Sequence, residues 1–254
     1  PIASTRSWVE IKVPKPLSVE FGAAETRLAS PSDGASGPGI SVPTVSQLTL
    51  IVSFDDGTTK DMSDDARVHY NVTSPSCAEI GIGRMVHILP GATCSAITVV
   101  ATIPAFEQFG SFASNATLPL VSLQRLEIHF SAYPDTPTNR GISIAKLGLI
   151  ECSIASYQRA VIHANAYLTD EPLSAVDVTL YTTFSSSGSV IIEGTQLIAL
   201  SAGSAIISGE FGPSPTLGSR SISIVNRVLN SVSSVTLETP LHSSQTLRLE
   251  AGVM

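Results

Sequence analysis

The feature that most constrains the fold is internal repetition. Gln47-Leu-Thr-Leu-Ile-Val-Ser-Phe-Asp-Asp56 aligns with Gln158-Arg-Ala-Val-Ile-His-Ala-Asn-Ala-Tyr-Leu-Thr-Asp170, allowing a small insertion. Tyr70 aligns with Tyr181, 111 residues on, and Gly91 aligns with Gly203, 112 residues on. A near-constant offset at three separate segments predicts two copies of one supersecondary unit, because chance similarity would not hold its spacing. A unit of about 110 residues has the size of an immunoglobulin-like sandwich.

Residue types decide what the repeated unit is made of. Leu48-Thr-Leu-Ile-Val-Ser-Phe54, Ala96-Ile-Thr-Val-Val-Ala-Thr102, Val176-Asp-Val-Thr-Leu-Tyr-Thr182 and Ser221-Ile-Ser-Ile-Val225 are short, rich in β-branched residues and alternating. They are bounded by Gly, Pro, Asn or Asp, the pattern of strands separated by turns. No window sustains an apolar stripe at i, i+3, i+4 and i+7 over helical length. The chain reads as all-β, a tandem of immunoglobulin-like β-sandwiches at residues 17–122 and 123–232.

The junctions carry a third recurrence. Trp8-Val-Glu-Ile-Lys-Val13 precedes Leu17-Ser-Val-Glu-Phe21, Ala116-Thr-Leu-Pro-Leu120 precedes Leu123-Gln-Arg-Leu-Glu-Ile128, and Ser221–Val225 precedes Val235-Thr-Leu-Glu238. Each pair reads as the last strand of one unit and the first strand of the next. Residues 1–16 are then expected to close a preceding or neighbouring unit, and residues 233–254 to open a following one. Strands without their sandwich leave unpaired edges. The expected assembly residues are therefore Trp8, Val9, Ile11, Val13, Val235, Leu237, Leu247 and Leu249, acting by strand addition to another copy or to neighbouring domains of a longer chain.

Asp56-Gly-Thr-Thr-Lys-Asp-Met-Ser63, Ser74-Pro-Ser-Cys-Ala-Glu-Ile80 and Leu89-Pro-Gly-Ala-Thr-Cys-Ser-Ala-Ile97 resemble the bacterial immunoglobulin-like domain, group 2. That pattern runs from an Asp-Gly-Thr turn through a Ser/Pro-rich lead into an Ala-x-Val strand and a Gly-x-Ala-x-Ile strand. Ser185-Ser-Ser-Gly-Ser-Val-Ile191 and Gly203-Ser-Ala-Ile-Ile207 repeat it more loosely. The resemblance implies a spacer or binding module of a surface protein, with Tyr70 and Tyr181 near a core aromatic position.

Cys77 and Cys94 begin two strands separated by one hairpin strand, so both lie at one end of a sandwich where a disulfide is geometrically allowed. Cys152 has no partner within its unit. Two Asn-x-Thr sequons, Asn71-Val-Thr73 and Asn115-Ala-Thr117, add covalent glycans to the expectation and favour an extracellular or cell-surface chain.

Composition removes other functions. Lys and Arg number 14 against 21 Asp and Glu, a net charge of −7, which offers no basic surface for nucleic acid. No apolar run reaches the ~18 residues of a membrane span, and no leader pattern stands at the N-terminus, so any targeting signal is expected outside this segment. His69, His87, His129, His163 and His242 are scattered without metal-ligand spacing. Gly81-Ile-Gly-Arg-Met-Val86 lacks the third glycine of a dinucleotide fingerprint and its strand-to-helix context, and no Gly-x-Ser-x-Gly elbow occurs. No enzymatic role and no cofactor are expected. The weaker reading is calcium at the Asp-rich turn, through Asp55, Asp56 and Asp61.

Two Pro/Ser/Thr-rich loops, 28–43 and 131–141, follow the first strand of their units. Each reads either as a flexible crossover or as an O-glycan carrier. The function expected is a structural segment of an extracellular filament, stalk or surface protein. The alternative is an adhesin-type module for carbohydrate or a host protein, for which a low aromatic content of 6% offers few stacking platforms.

Overall fold

The fold is seen in a computed structural model that describes residues 12–110, 112–134, 136, 142–151, 156–213 and 216–225. Trp8, Val9, Ile11, Cys152, Val235, Leu237, Leu247 and Leu249 lie outside the described residues. Val13 is described: it stands outside any strand and is 78% exposed. Pro14, which has no N–H to give a ladder, follows it directly, and Pro16 opens the first strand opposite Phe54.

The first sandwich contains β1 (Pro16–Ala23), β2 (Leu28–Ala29), β3 (Val45–Phe54), β4 (Thr59–Asp61), β5 (His69–Val72), β6 (Ala78–Ile80), β7 (Met85–Ile88), β8 (Ala96–Thr102) and β9 (Ala113–Val121). One sheet runs β1-β3-β7-β6, with β4 also on β3; the other runs β2-β9-β8-β5. The second sandwich contains β10 (Leu123–Ala132), β11 (Lys146–Glu151), β12 (Ser156–Tyr157), β13 (Arg159–Leu168), β14 (Ala175–Asp177), β15 (Thr183–Gly188), β16 (Val190–Glu193), β17 (Gln196–Ala199), β18 (Gly203–Phe211) and β19 (Thr216–Val225). Its sheets run β10-β13-β17-β16, with β14 on β13, and β12-β11-β19-β18-β15. Apart from β12, which has no counterpart beside β2, this is the strand order of the first sandwich. The parallel contact of β2 with β9 also recurs, as β11 with β19. The all-β reading and the tandem immunoglobulin-like architecture hold.

Alternation builds each core. In β3, Leu48, Leu50 and Val52 are buried while Thr49 and Ile51 face out; in β8, Ile97, Val99 and Ala101 turn inward. The second core combines Phe130 and Phe211 with the small inward residues Ala160, Ala164 and Ala166 of β13. Large rings against alanines are one way to reach interior packing density without voids. Among the described residues, no buried side-chain nitrogen or oxygen lacks a hydrogen-bond partner.

Register corrects two residue equivalences. Asp177 does not continue a strand to Tyr181. Its Oδ1 accepts from the Thr179 N–H at 2.9 Å and from the Thr179 hydroxyl at 2.6 Å, and that hydroxyl in turn accepts the Ala164 N–H. This closes a local turn that competes with the ladder. The chain passes through a 3₁₀ turn at Thr179–Tyr181 before β15 begins. The same device stands at Asp61-Met62-Ser63, where Asp61 accepts from the Ser63 N–H and hydroxyl and Ser63 Oγ accepts the Leu50 N–H. In the ladders Tyr70 faces Ala101 and Phe184 faces Gly209, so Phe184 takes the place expected for Tyr181. Tyr181 itself is 51% exposed.

Gly91 and Gly203 also part company. Leu89 donates to the Cys77 carbonyl and Leu200 to the Ser189 carbonyl, which fixes Leu89 and Leu200 as equivalents. β8 begins at Ala96 but β18 already at Gly203, so the first turn is longer. Gly91 lies within that turn at φ +74, a left-handed value that favours glycine. Gly203 is the opening residue of a strand.

A cross-strand histidine pair makes a pH dependence of stability expected at His129. His129 and His163 lie directly opposite on the outer face of β10 and β13, with rings stacked at 4.8 Å. Burial pushes the His129 imidazole below its ordinary value of 6.5, and His163 and Arg220 lower it further, against Asp177 and Glu127. A depressed folded value means that the unfolded chain binds the proton more readily. This contribution to stability is therefore complete above about 6.5 and is lost as pH falls through the folded value. The melting temperature is expected to fall between pH 7 and 5, and His129→Gln should flatten that slope. A slope identical in the variant would remove His129 as its source.

Candidate functional site: the junction of the two sandwiches

The stretch from Ser30 to Pro43, read from sequence as a flexible crossover or glycan carrier, is an ordered plug between the sandwiches. Asp33 caps a short 3₁₀ turn at Gly34–Ser36, its Oδ1 accepting the Ala35 N–H at 2.8 Å. The same oxygen accepts the Leu123 N–H, also at 2.8 Å. One carboxylate therefore ties the loop of the first sandwich to the first strand of the second. Hydrogen bonds to an ionised acceptor are roughly twice as strong as neutral ones.

Packing reinforces this tie. Ala29, Ala35, Val42, Val121 and Leu168 form a separate buried cluster, flanked by Ile40 and Leu123. Ala29 and Ala35 are wholly inaccessible. Close approach explains two glycines. A Cβ at Gly34 would lie 2.5 Å from Leu123 Cδ2, and one at Gly39, where φ is +87, would lie 2.7 Å from the Tyr181 ring. Tyr181, displaced from the core, thus serves as a contact of the second sandwich with the plug.

Polar contacts seal the rim. Ser122 N–H donates to Thr169 Oγ1 and Thr169 N–H to the Ser122 carbonyl, both at 3.0 Å. Arg27 reaches Asp170 at 2.6 Å and Glu171 at 3.1 Å. These groups are partly exposed, so their contribution is about 1 kcal/mol or less. Ser30 Oγ donates to the Leu89 carbonyl and accepts the Gly91 N–H, locking the plug to the β7–β8 turn. Beside it lies a cleft of about 450 Å³ lined in part by Asp33, Cys94, Ser122 and Thr169.

Cys77 and Cys94 are joined as a disulfide with Cα atoms 6.3 Å apart. The bridge holds the entry of β6 to the long β7–β8 turn on which the plug rests. In the second sandwich Ser189 stands at the Cys77 position and the shorter turn provides no partner cysteine. Reduction is expected to destabilise the first sandwich by about 3 kcal/mol in the chain-entropy picture of a loop this short. Thermal unfolding with and without reductant, alongside intact mass, checks this; no shift in melting would show that the bridge constrains nothing.

The carboxylates Asp55, Asp56 and Asp61 of the Asp-rich turn are engaged within the protein. Asp55 Oδ1 accepts the Lys15 N–H, Asp56 Oδ1 the Thr58 N–H and hydroxyl, and Asp61 those of Ser63. Asp65 pairs with Arg67 and Lys60, and the Arg67 guanidinium holds its carboxyl far below the usual carboxylate range. Asp56, Asp61 and Asp65 each close a local turn while Asp55 ties the turn to Lys15, and among the described residues no group of three His, Cys, Asp or Glu could hold a metal. Asn71 and Asn115 are both exposed, on β5 and β9.

Sequence reasoning missed Asp33, Ala35, Arg27, Leu168 and Asp170 as a unit. The available signal was Ala29, Ala35 and Val42 spaced through a Ser/Gly/Pro stretch, with Asp-Gly marking a capped turn.

No protein-family model matches the chain, and no curated protein matches it. Among solved structures, the chain is similar to domains 4 and 5 of the S-layer protein SbsC, at 11% identity over 83% of this chain and 99% of that one, with a TM-score of 0.41. Domains 5–6 of the same protein share 12% identity over 85% and 100%, with a TM-score of 0.28. Human protocadherin-24 EC1-2 shares 10% over 84% and 100%, with a TM-score of 0.30. The architecture stated above rests on the strand ladders themselves.

Proposed function

We propose that this chain is a structural segment of an extracellular surface, stalk or filament protein, in which sandwiches at 17–122 and 123–232 act as a fixed two-unit spacer. The observation that carries the reading is the buried plug. A flexible tether between binding modules has no need of an inaccessible cluster, a carboxylate shared between units and two glycines at close approach. A spacer that transmits position or force does. A buried and hydrogen-bonded junction of this kind works against the relative motion that loosely joined domains show by default.

Self-association belongs to the same reading. Strand β15 ends its sheet, with a ladder partner only on the β18 side among the described residues, and such an edge is a template for another strand. The terminal segments around Trp8 and Val235 are the other assembly elements proposed.

The test has two arms. Labelling of intact cells with a membrane-impermeant amine reagent should modify this protein, and sedimentation velocity across a concentration series should show reversible association. A protein protected from label until cells are lysed would overturn the surface reading. Glycan-array binding of defined specificity would replace the spacer with an adhesin-type module.

A further inference from the structure

We infer that Asn71 and Asn115 both carry N-linked glycans and together make one sheet face of the first sandwich a shielded surface that takes no part in assembly. This rests on the surface reading above, since the modification requires passage through a glycosylating compartment.

The two sequons are 44 positions apart in the chain, yet the fold places them in one row. Asn71 of β5 is the ladder partner of Val100 in β8, and Val100 is the partner of Asn115 in β9. Strands alternate their faces, and directly paired residues share one. Asn71, Val100 and Asn115 therefore project to the same side. Inward neighbours on all three strands confirm which side: Val72, Val99 and Leu118 are buried in the core, while both asparagines are exposed. With neighbouring strands ~4.8 Å apart, the asparagines sit about 10 Å from each other.

The rest of this face suits a covered surface. The next row carries the sequon threonines. Thr117 Oγ1 lies 3.0 Å from Thr98 Oγ1, and Thr73 Oγ1 donates to the Thr98 carbonyl at 3.2 Å. Those hydroxyls are the groups a transferase must read, and here they are engaged within a formed ladder. Modification therefore precedes closure of β5, β8 and β9. In the transfer, Asn Nδ2 bonds to the anomeric carbon of a lipid-pyrophosphate-linked oligosaccharide. The anomeric C–O bond breaks with its electron pair to the pyrophosphate, and the amide proton passes to a base of the transferase.

Two glycans this close cover Val100 and the Thr98–Thr117 row, and leave assembly to the other sheet, the edges and the poles of the sandwich. The second sandwich has no counterpart: its equivalent sheet presents serines, with Ser185 opposite Ser208 and Ser208 opposite Ser219, and no sequon. The molecule is thus asymmetric, with one shielded and one bare face.

The test uses the full-length natural protein. Peptides covering Asn71 and Asn115 are analysed by mass spectrometry after N-glycosidase digestion in ¹⁸O-water, which marks each formerly occupied asparagine. Label at both positions is the expected result; an unlabelled Asn71 or Asn115 overturns the two-glycan face. Impermeant labelling of the same cells reads the surface assignment separately, so a surface-labelled protein with empty sequons sinks this inference alone. Shielding is read with Val100→Lys expressed through a secretory pathway. Its acylation should be several-fold slower than in the same variant also carrying Asn71→Gln and Asn115→Gln. Equal rates would show that the glycans leave the face open.

Discussion

Phe130→Ala is expected to destabilise the second sandwich by about 3–5 kcal/mol, the usual cost of removing a buried aromatic ring. Phe130 is wholly inaccessible and shares its cluster with Phe211, Ile162, Leu147 and Leu197. The alanines of β13 that make room for it are strand residues without rotamers, so they cannot swing into the vacated volume. Arg220 loses its perch as well, since its guanidinium lies 5.8 Å from the ring centroid. For a unit of this size each kcal/mol moves the midpoint by roughly 4–8 °C, so the second sandwich should melt well over ten degrees lower. Calorimetry should resolve a shifted transition from one that belongs to the first sandwich and stays in place. An unchanged thermogram would mean that the ring is not the centre of that core.

The fold was readable because its signals are short in range. Alternation in Leu48–Phe54 and Ala96–Thr102 is a local property, and both segments are strands in the structure, one extended three residues at its start and the other matching to the residue. The repeat announced duplicated topology before any strand was placed. Failures occurred where a polar side chain outcompeted the ladder. Val176–Thr182 alternates as a strand should, but Asp177 folds the chain into a turn by binding Thr179, and Tyr181 leaves the core as a result. The plug was illegible for a related reason. Ser, Gly and Pro describe a flexible segment equally well as one pinned by a tertiary contact, and only Leu123, 90 residues from Asp33, decides between them. Nothing near Asp33 in the sequence announces that partner. The sequons were legible as motifs, but their shared row was not, because it depends on the register of β8 against two strands at once.

The junction offers the sharpest test of the spacer reading. Ala35→Glu introduces a carboxylate where the present side chain is wholly inaccessible, between Val42, Val121 and Leu168. Its cluster is apolar, and Arg27 is already engaged with Asp170 and Glu171 on the rim. An unpaired charge cannot remain in such a site. Either the carboxyl takes up a proton at a cost of several pKa units, or the plug withdraws and carries the charge to water. Withdrawal is the easier course, because a small cluster, the Asp33 contact to Leu123 and the Tyr181 contact at Gly39 are what hold the plug to the second sandwich. Neither main core contains Ala35, so both sandwiches should keep their ladders and their circular dichroism. What should change is their coupling. Small-angle scattering should show a broader distribution of maximum dimensions, and limited proteolysis should cut between Ser30 and Pro43, a stretch expected to resist cleavage in the parent. Ala35→Gly, which adds neither volume nor charge, should leave both readouts near the parent. If Ala35→Glu scatters and resists cleavage as the parent does, the plug does not fix the two units and the spacer reading loses its foundation.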